Sequence, residues 1–245
     1  MAVLALDTSA AVAVALVDTD GSRLAARTSS ERRRHAESLA PLVAAVLDDA
    51  GLDRSALTAI AVGTGPAPFT GLRVGLVTAR TLALSLGIDV LGVPSVDALA
   101  VQAVADLGLA PGDEVLVASD ARRKEVYWAR YAVVAHEGPH GVPVVRTLAG
   151  PDVAKAAGVA DTQLAVPAAD GRLVVVGEGA QLYADVLPPD DDAPLVCDAT
   201  VLARVALARR AAGEDLPTEP LYLRRPDVQA PAGTSRLVPA TGRPA

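Results

Sequence analysis

Two stretches of the sequence share one pattern: VLALDTSAAVAVALV at residues 3–17 and VLVASDARRKEVYWARYAV at residues 115–133. Each begins with a short apolar run that ends on an aspartate, followed by a turn and a second run in which apolar residues recur. Apolar runs of this length, bounded by turn residues, are typical of buried or half-buried strands. Because the pattern occurs once in each half of the chain, it indicates two structurally related halves.

The segments that follow each stretch extend the duplication. The first half has predicted strands at 22–28, 58–63 and 89–93, and predicted helices at 31–51, about 70–86 and from Ser95 onward. The second half has predicted strands near 142–148 and at 172–179, and predicted helices at about 151–158, 180–187 and 198–212. The order β-β-β-α-β-α therefore occurs twice, which predicts an α/β protein with mixed sheets and outer helices in two facing lobes. This is the element order of the duplicated actin-like (ASKHA, ribonuclease-H-like) fold.

The predicted domain organisation follows from this duplication. Residues 1–108 form an N-terminal actin-like lobe and residues 109–225 a C-terminal one. The remaining residues, 226–245, are rich in Pro, Gly, Ser and Thr and show no periodicity. We therefore expect a disordered tail.

Composition restricts the classes of function. The chain is 51% hydrophobic but only 2% aromatic, so its core must consist mainly of Ala, Val and Leu. The formal net charge of −7 gives no general attraction to a polyanion, which argues against independent nucleic-acid binding but leaves room for a local basic patch. One cysteine cannot form an internal disulfide, no basic leader precedes the first strand, and no apolar run reaches about 18 residues. The sequence therefore predicts a cytoplasmic protein without a membrane segment.

The segment Asp7-Thr8-Ser9 follows the first strand, where actin-like kinases have a phosphate-binding hairpin. Working hairpins of that kind usually carry glycine close to the aspartate, because glycine lets the backbone approach a phosphate. Here that position is Ser9. We interpret the segment as an Asx turn that joins two strands, and at most as a vestigial nucleotide loop.

The segment HEGPH contains His136 and His140, which have the spacing of two metal ligands one helical turn apart. That spacing brings two side chains to one face only on a helix. Because Gly138 and Pro139 separate the two histidines, we expect a loop between strands and no metal site. Cys197 is expected to be a buried small apolar residue.

The segment GTGPAPFTGLRVGLVTARTLALSL at residues 63–86 predicts a tight loop followed by a helix. This helix is apolar nearly all round, and a surface helix in a lone domain needs only one apolar face. A glycine costs about 1 kcal/mol relative to alanine in a helix interior, so Gly75 suggests a close neighbour. We expect either a partner protein or the first helix of the chain to be that neighbour, and packing wholly within the domain stays open. Small residues recur at every fourth position of the helix: Gly71, Gly75, Ala79 and Ala83.

Several stretches together resemble the bacterial TsaB (YeaZ) family. The most specific are GPAPFTGLRVG at residues 65–75 and DARRKEVYWARY at residues 120–131. The other matching stretches, in chain order, are LALDTSA at 4–10, HAESLAPLV at 35–43, GVPSVDALA at 92–100 and PLYLRRP at 220–226. The resemblance covers about 220 residues of the chain.

The resemblance implies a role in making N6-threonylcarbamoyladenosine in tRNA. It implies TsaD as the catalytic partner, the ATPase TsaE as a further partner, and tRNA contact only through the complex. The family member itself is a platform without catalytic residues or a cofactor, and we expect it to form a homodimer when TsaD is absent. For this chain we predict a helical interface with TsaD formed by His35, Leu39, Val43, Gly71, Leu72, Gly75, Leu76, Ala79 and Ala83.

Two departures from family patterns bear on the alternatives. Ala67 and Pro68 replace the second glycine and the serine of the usual loop G-P-G-S-F-T-G, which stiffens the loop and removes a hydroxyl. The two metal-binding histidines of the related TsaD align with Ser95 and Leu99, which cannot supply an imidazole. The alternatives are a small-molecule kinase of the actin-like class, which the missing glycine disfavours, and a metallopeptidase, which Ser95 and Leu99 disfavour.

Overall fold

A computed structural model describes residues 1–29 and 35–224 of the chain. The predicted tail at 226–245 and residues 31–34 of the first predicted helix lie outside the described residues. The side chains of His35 and His140 also lie outside them. Within the described ranges, no helix is long and apolar enough to cross a membrane.

The first half of the chain forms a five-stranded sheet in the order β3-β2-β1-β4-β5. Strand β1 pairs antiparallel with β2 and parallel with β4, and β4 pairs parallel with β5. The elements of this half are β1 (Ala2–Asp7), β2 (Val12–Asp18), β3 (Arg23–Ser29), α1 (His35–Asp49), β4 (Leu57–Gly63), α2 (Phe69–Leu86), β5 (Asp89–Val93) and α3 (Ser95–Asp106).

The second half forms a four-stranded sheet in the order β8-β7-β6-β9. Strand β6 pairs antiparallel with β7 and parallel with β9, as β1 does with β2 and β4. The second sheet therefore repeats four strands of the first in the same order, and the predicted duplicated α/β fold is confirmed. The elements of this half are β6 (Glu114–Asp120), β7 (Glu125–Ala135), β8 (Val144–Lys155), α4 (Ala156–Val159), β9 (Leu173–Val176), α5 (Glu178–Leu182) and α6 (Ala199–Ala211).

Alternation along the strands places the two faces of each sheet against different helices. In β1, Leu4 and Leu6 pack in the cluster formed with α1 and α2, whereas Val3 and Ala5 pack in the cluster formed with α6. The face toward α6 is rich in alanine, as is α6 itself, which lets this helix lie close to the sheet. The low aromatic content is thus matched by close packing of small side chains.

Helices α3 and α6 connect the hydrophobic packing of the two halves. In α3, Ala98 and Val101 pack in the cluster of the first sheet, while Val96 and Leu99 pack against the second sheet. Helix α6 comes from the second half but packs on the first sheet. The two predicted lobes therefore each contain one sheet but do not have separate cores, and the boundary after residue 108 stays a prediction.

The predicted helix at about 151–158 is wrong over most of its length, because β8 continues to Lys155 and only α4 is helical. Pro151, the first residue of that predicted helix, lies inside β8. Strand β8 is an edge strand of the second sheet, where a residue without a backbone N–H is tolerated. The predicted helix at 180–187 is also displaced, since α5 ends at Leu182.

Candidate functional site

A cavity of about 470 Å³ opens between the two halves, bounded by the turn after β1, the start of α2 and the turn after β6. We call it the interlobe cleft. Polar side chains from both halves line it, namely Thr8, Ser9, Thr70, Asp120, Arg122 and Glu178. The aspartate that ends β6 thus lies at the cleft, but its counterpart at the end of β1, Asp7, does not line it.

Asp7 is buried, and its carboxylate is engaged inside the fold. It accepts hydrogen bonds from the backbone N–H of Ser9 at 2.9 Å, from Ser9 Oγ at 2.5 Å and from Ser95 Oγ. A side chain on Gly63 would overlap the Asp7 carboxylate, so the end of β4 requires glycine. The predicted Asx turn is therefore confirmed, and Asp7 joins the β1–β2 turn to the start of α3.

Thr8 connects the same turn to α2. Its Oγ1 donates to the carbonyl oxygen of Gly71 at 2.9 Å and accepts from the backbone N–H of Gly75 at 3.2 Å. A Cβ on Gly75 would lie 2.5 Å from Thr8 Oγ1, closer than real Cβ atoms approach. The close neighbour that the sequence led us to expect at Gly75 is thus a threonine of the same chain.

Most residues of the predicted interface are buried within the chain itself. The physical reason is that the stripe of small residues brings α2 close to the β1–β2 turn and lets its flanking leucines pack on the sheet beside α1. Val43 of α1 is half-buried against the same cluster. Whether α1 and α2 meet a partner at all stays a prediction. The predicted interface residues that are at most 3% exposed are Leu39, Leu72, Leu76, Ala79 and Ala83.

The opposite face of α2 is exposed and carries two apolar side chains beside Arg73 and Arg80. Leu84 is 85% exposed and Val77 is 60% exposed, and their separation of seven residues places them on one face of the helix. In the neighbouring α1, Ala40 and Ala44 are exposed as well. We call these four residues the outer surface of α1 and α2. From the sequence we expected only a helix that is apolar nearly all round, although the spacing of Val77 and Leu84 indicated an exposed apolar pair.

The C-terminal segment at 214–224 runs back from α6 to the first half. The carbonyl oxygen of Leu216 accepts a hydrogen bond of 3.0 Å from the backbone N–H of Gly92, in the edge strand β5. A side chain on Gly92 would overlap the carbonyl of Pro217, so this approach also requires glycine.

The same segment contacts Arg73 and Arg80, which share a face of α2 with Val77 and Leu84. Arg80 donates to the carbonyl oxygen of Thr218 at 2.7 Å, and Arg73 Nε donates to the Tyr222 hydroxyl at 3.1 Å. The rings of Phe69 and Tyr222 lie 5.0 Å apart, and the Arg73 guanidinium lies 3.9 Å from the centre of the Phe69 ring. These contacts hold α2 in place, and Val77 and Leu84 remain 60% and 85% exposed beside them.

The loop between β4 and α2 is fastened from several sides. The carbonyl oxygen of Gly65 accepts from the backbone N–H of Ser95 at 2.7 Å, and that of Ala67 accepts from the Tyr127 hydroxyl at 3.4 Å. Burial, and then the nearby Asp120 carboxylate, raise the pKa of Tyr127, which keeps its hydroxyl a neutral donor. Ala67 is itself buried. The loop therefore starts α2 and fixes its position.

Comparisons with known proteins agree on one family. A family model described as TsaD, tRNA N6-adenosine threonylcarbamoyltransferase, matches residues 24–220. An uncharacterized protein of Mycobacterium tuberculosis is 41% identical over 231 residues, which are 93% of each chain. The tRNA threonylcarbamoyladenosine biosynthesis protein TsaB of Escherichia coli is 29% identical over 239 residues, covering 91% of this chain and 95% of that protein. The solved structure of YeaZ from Pseudomonas aeruginosa has a TM-score of 0.73 and 32% identity, covering 91% of this chain and 99% of that one. The chain belongs to the TsaB (YeaZ) family.

Ser95 and Leu99, which the sequence analysis aligned with two histidines of TsaD, are both engaged inside the fold. Ser95 is buried and donates to Asp7, and Leu99 is buried in the apolar cluster of the second sheet. His136 lies in the connection between β7 and β8, as predicted, with its Nδ1 3.1 Å from the carbonyl oxygen of Leu109. Within residues 1–29 and 35–224, no group of three or more His, Cys, Asp or Glu residues is placed to hold a metal ion.

Proposed function

We propose that this member of the TsaB family is a non-catalytic cytoplasmic subunit of the machinery that makes N6-threonylcarbamoyladenosine in tRNA. In this proposal it binds and activates TsaD, TsaE joins the assembly, and a second copy occupies the same surface when TsaD is absent. The name of the E. coli relative supports the pathway. The engagement of Asp7 inside the fold and the apolar surroundings of Leu99 support a platform role.

The observation that carries the proposal is the outer surface of α1 and α2. A leucine that is 85% exposed and a valine that is 60% exposed lie on one face of α2, and Ala40 and Ala44 are exposed on the neighbouring helix α1. Exposed apolar patches on folded proteins mark interaction sites, and burying one such side chain contributes about 1.5–3 kcal/mol. Small residues on α1 would let a partner helix come close to the aliphatic pair on α2.

Homology with TsaD supports a helical partner. The family model for TsaD matches most of this chain, so TsaD contains a related pair of helices on a related sheet. Two homologous folds can present the same face to each other around a pseudo-two-fold axis, and two identical chains can do so around a true one. This geometry accounts for TsaD and a second copy as competing occupants of one surface.

The test is the binding affinity of the Leu84→Arg variant for TsaD from the same genome, measured by isothermal titration calorimetry. A charge buried without a partner should weaken binding by at least about 10²-fold, because each 1.4 kcal/mol changes the affinity about tenfold. The matched control is Leu182→Arg, since Leu182 is 55% exposed but lies on α5 of the other half. If the Leu84 variant is folded and binds TsaD as tightly as the control, the interface lies elsewhere.

A further inference from the structure

Basic residues concentrate around the turn that joins β6 to β7. The turn itself contains Arg122, Arg123 and Lys124. The chain has one further lysine, Lys155, which lies beside this turn because it is paired with Glu125 in the β7–β8 ladder. Arg224 reaches the turn from the C-terminal segment and donates to the carbonyl oxygen of Ala121 at 2.9 Å. We call Arg122, Arg123, Lys124, Lys155 and Arg224 the basic patch.

The nearby acidic residues leave the basic patch with a positive charge. Arg122 forms an ion pair with Asp120 at 3.1 Å, and Arg224 forms one with Glu125. Lys124 and Lys155 are exposed, and neither forms an ion pair with any residue in 1–29 or 35–224. The patch is thus a cationic surface on a chain with a net charge of −7.

The backbone of the turn is in an unfavourable conformation for these side chains. Arg122, Arg123 and Lys124 have φ values of 64°, 57° and 62°, so three consecutive residues are left-handed. Glycine and asparagine adopt this region most readily, and a turn that only joined two strands would be expected to use them. Strained backbone that carries long cationic side chains instead is typical of a functional site.

The position of the basic patch favours an extended ligand. Arg122 lines the interlobe cleft, but neither lysine does. A small anion inside the cleft would meet the carboxylates of Asp120 and Glu178, whereas a polyanion on the surface would meet the lysines. The patch also adjoins the start of α2, which lies about 22 Å along the helix from Leu84. A ligand on the patch and a partner on the outer surface can therefore be bound at the same time.

We propose that the basic patch binds the phosphate backbone of the tRNA while TsaD occupies the outer surface. This inference rests on the proposed function, because it assigns the tRNA as the polyanion. Lysine and arginine side chains neutralise phosphates without reading sequence, so the patch would position the tRNA and would not select it. The net charge of −7 gives the chain as a whole no general attraction to the tRNA.

The test uses the variant Lys124→Gln with Lys155→Gln in the complex with TsaD. Arg122 is kept, because its removal would leave the buried Asp120 without its ion pair. The matched control is Arg54→Gln with Arg146→Gln, which removes the same charge from exposed positions elsewhere on the chain. Binding of unmodified tRNA is followed by fluorescence anisotropy over a series of salt concentrations.

The lysine variant should bind tRNA at least about fivefold more weakly at low salt. The slope of log K against log salt is negative, and its magnitude should fall by about 1.4–1.8, as expected for two lost phosphate contacts. The control should retain the wild-type slope. Equal slopes for the lysine variant and the control would overturn the proposal. A second result would also overturn the proposal: the lysine variant loses binding of inorganic pyrophosphate, the control keeps it, and the salt slope for tRNA is unchanged. The basic patch would then be a site for small anions.

TsaD affinity is measured separately for each variant. If the wild-type chain fails to bind TsaD, the proposed function fails, and the salt slope of the chain alone still decides whether the patch binds RNA. If the lysine variant loses affinity for TsaD and the control does not, the basic patch is a contact with TsaD and the inference is wrong. Urea denaturation of both variants establishes that they are folded.

Discussion

Replacing Gly75 by alanine tests directly whether the stripe of small residues on α2 packs inside the chain. The new Cβ would lie 2.5 Å from Thr8 Oγ1 and 3.3 Å from Thr8 Cγ2. Thr8 is buried, and its hydroxyl is held by hydrogen bonds to Gly71 and Gly75. Either α2 shifts outward or Thr8 changes rotamer and loses its hydrogen bonds to Gly71 and Gly75.

The free energy of unfolding should decrease by about 2 kcal/mol. Alanine gains about 1 kcal/mol over glycine in a helix interior, which opposes the loss. Overpacking costs about 1–3 kcal/mol of stability, and each lost hydrogen bond costs about 0.5–1.5 kcal/mol. The steric and hydrogen-bond costs together exceed the gain in helix propensity.

Urea denaturation followed by circular dichroism measures this change. The matched control is Gly158→Ala in α4, where no atom lies within 4 Å of the added Cβ, and this variant should be stabilised by about 0.5–1 kcal/mol. Combining Gly75→Ala with Thr8→Ala should recover part of the loss, because the Cβ of residue 8 would lie 3.5 Å away, an ordinary contact. A Gly75→Ala protein at least as stable as the wild type would refute the internal packing of the stripe.

Two further predictions concern buried polar groups. Arg130→Met should lower the free energy of unfolding by about 3–5 kcal/mol in urea, because Arg130 Nε lies 2.5 Å from Glu114 Oε2 and the variant leaves a buried carboxylate unpaired. A loss below about 1 kcal/mol would contradict a buried pair of this kind. Burial raises the pKa of the Cys197 thiol and of the Tyr131 phenol well above their ordinary values of 9.0 and 10.0. The unfolded chain therefore releases these two protons at a lower pH than the folded chain does. The free energy of unfolding should accordingly decrease as the pH rises above those ordinary values. Unfolding measured from pH 8 upward should show this loss, and a stability that increased with pH there would contradict it.

The parts of the fold that depend on local pattern could be predicted from the sequence. Alternation in β1 sends Val3 and Leu4 to opposite faces, and the shared pattern ending in Asp7 and Asp120 revealed the duplication before any contact was known. Both features arise from neighbours in sequence. The class of fold and most element positions follow from such features.

The candidate site depended on contacts between distant residues. Gly75 indicated that a close neighbour exists, but that neighbour, Thr8, is 67 residues away, so the sequence could not distinguish a partner helix from an internal turn. The helix predicted at about 151–158 was misplaced because the position of β8 at a sheet edge is a property of the whole second half. The contact of Tyr222 with Arg73 in α2 likewise joins residues 149 positions apart.

The most direct test of the platform role is the formation of N6-threonylcarbamoyladenosine on unmodified tRNA by a reconstituted set of TsaD, TsaE, threonine, bicarbonate and ATP, to which this chain is added in increasing amounts. The account predicts that the chain alone modifies no tRNA and hydrolyses no ATP. It also predicts that product formation by the set rises until the chain is equimolar with TsaD, and that the Leu84→Arg variant fails to raise it. Modification by the chain alone, or an equal rate from the set without it, would contradict the account.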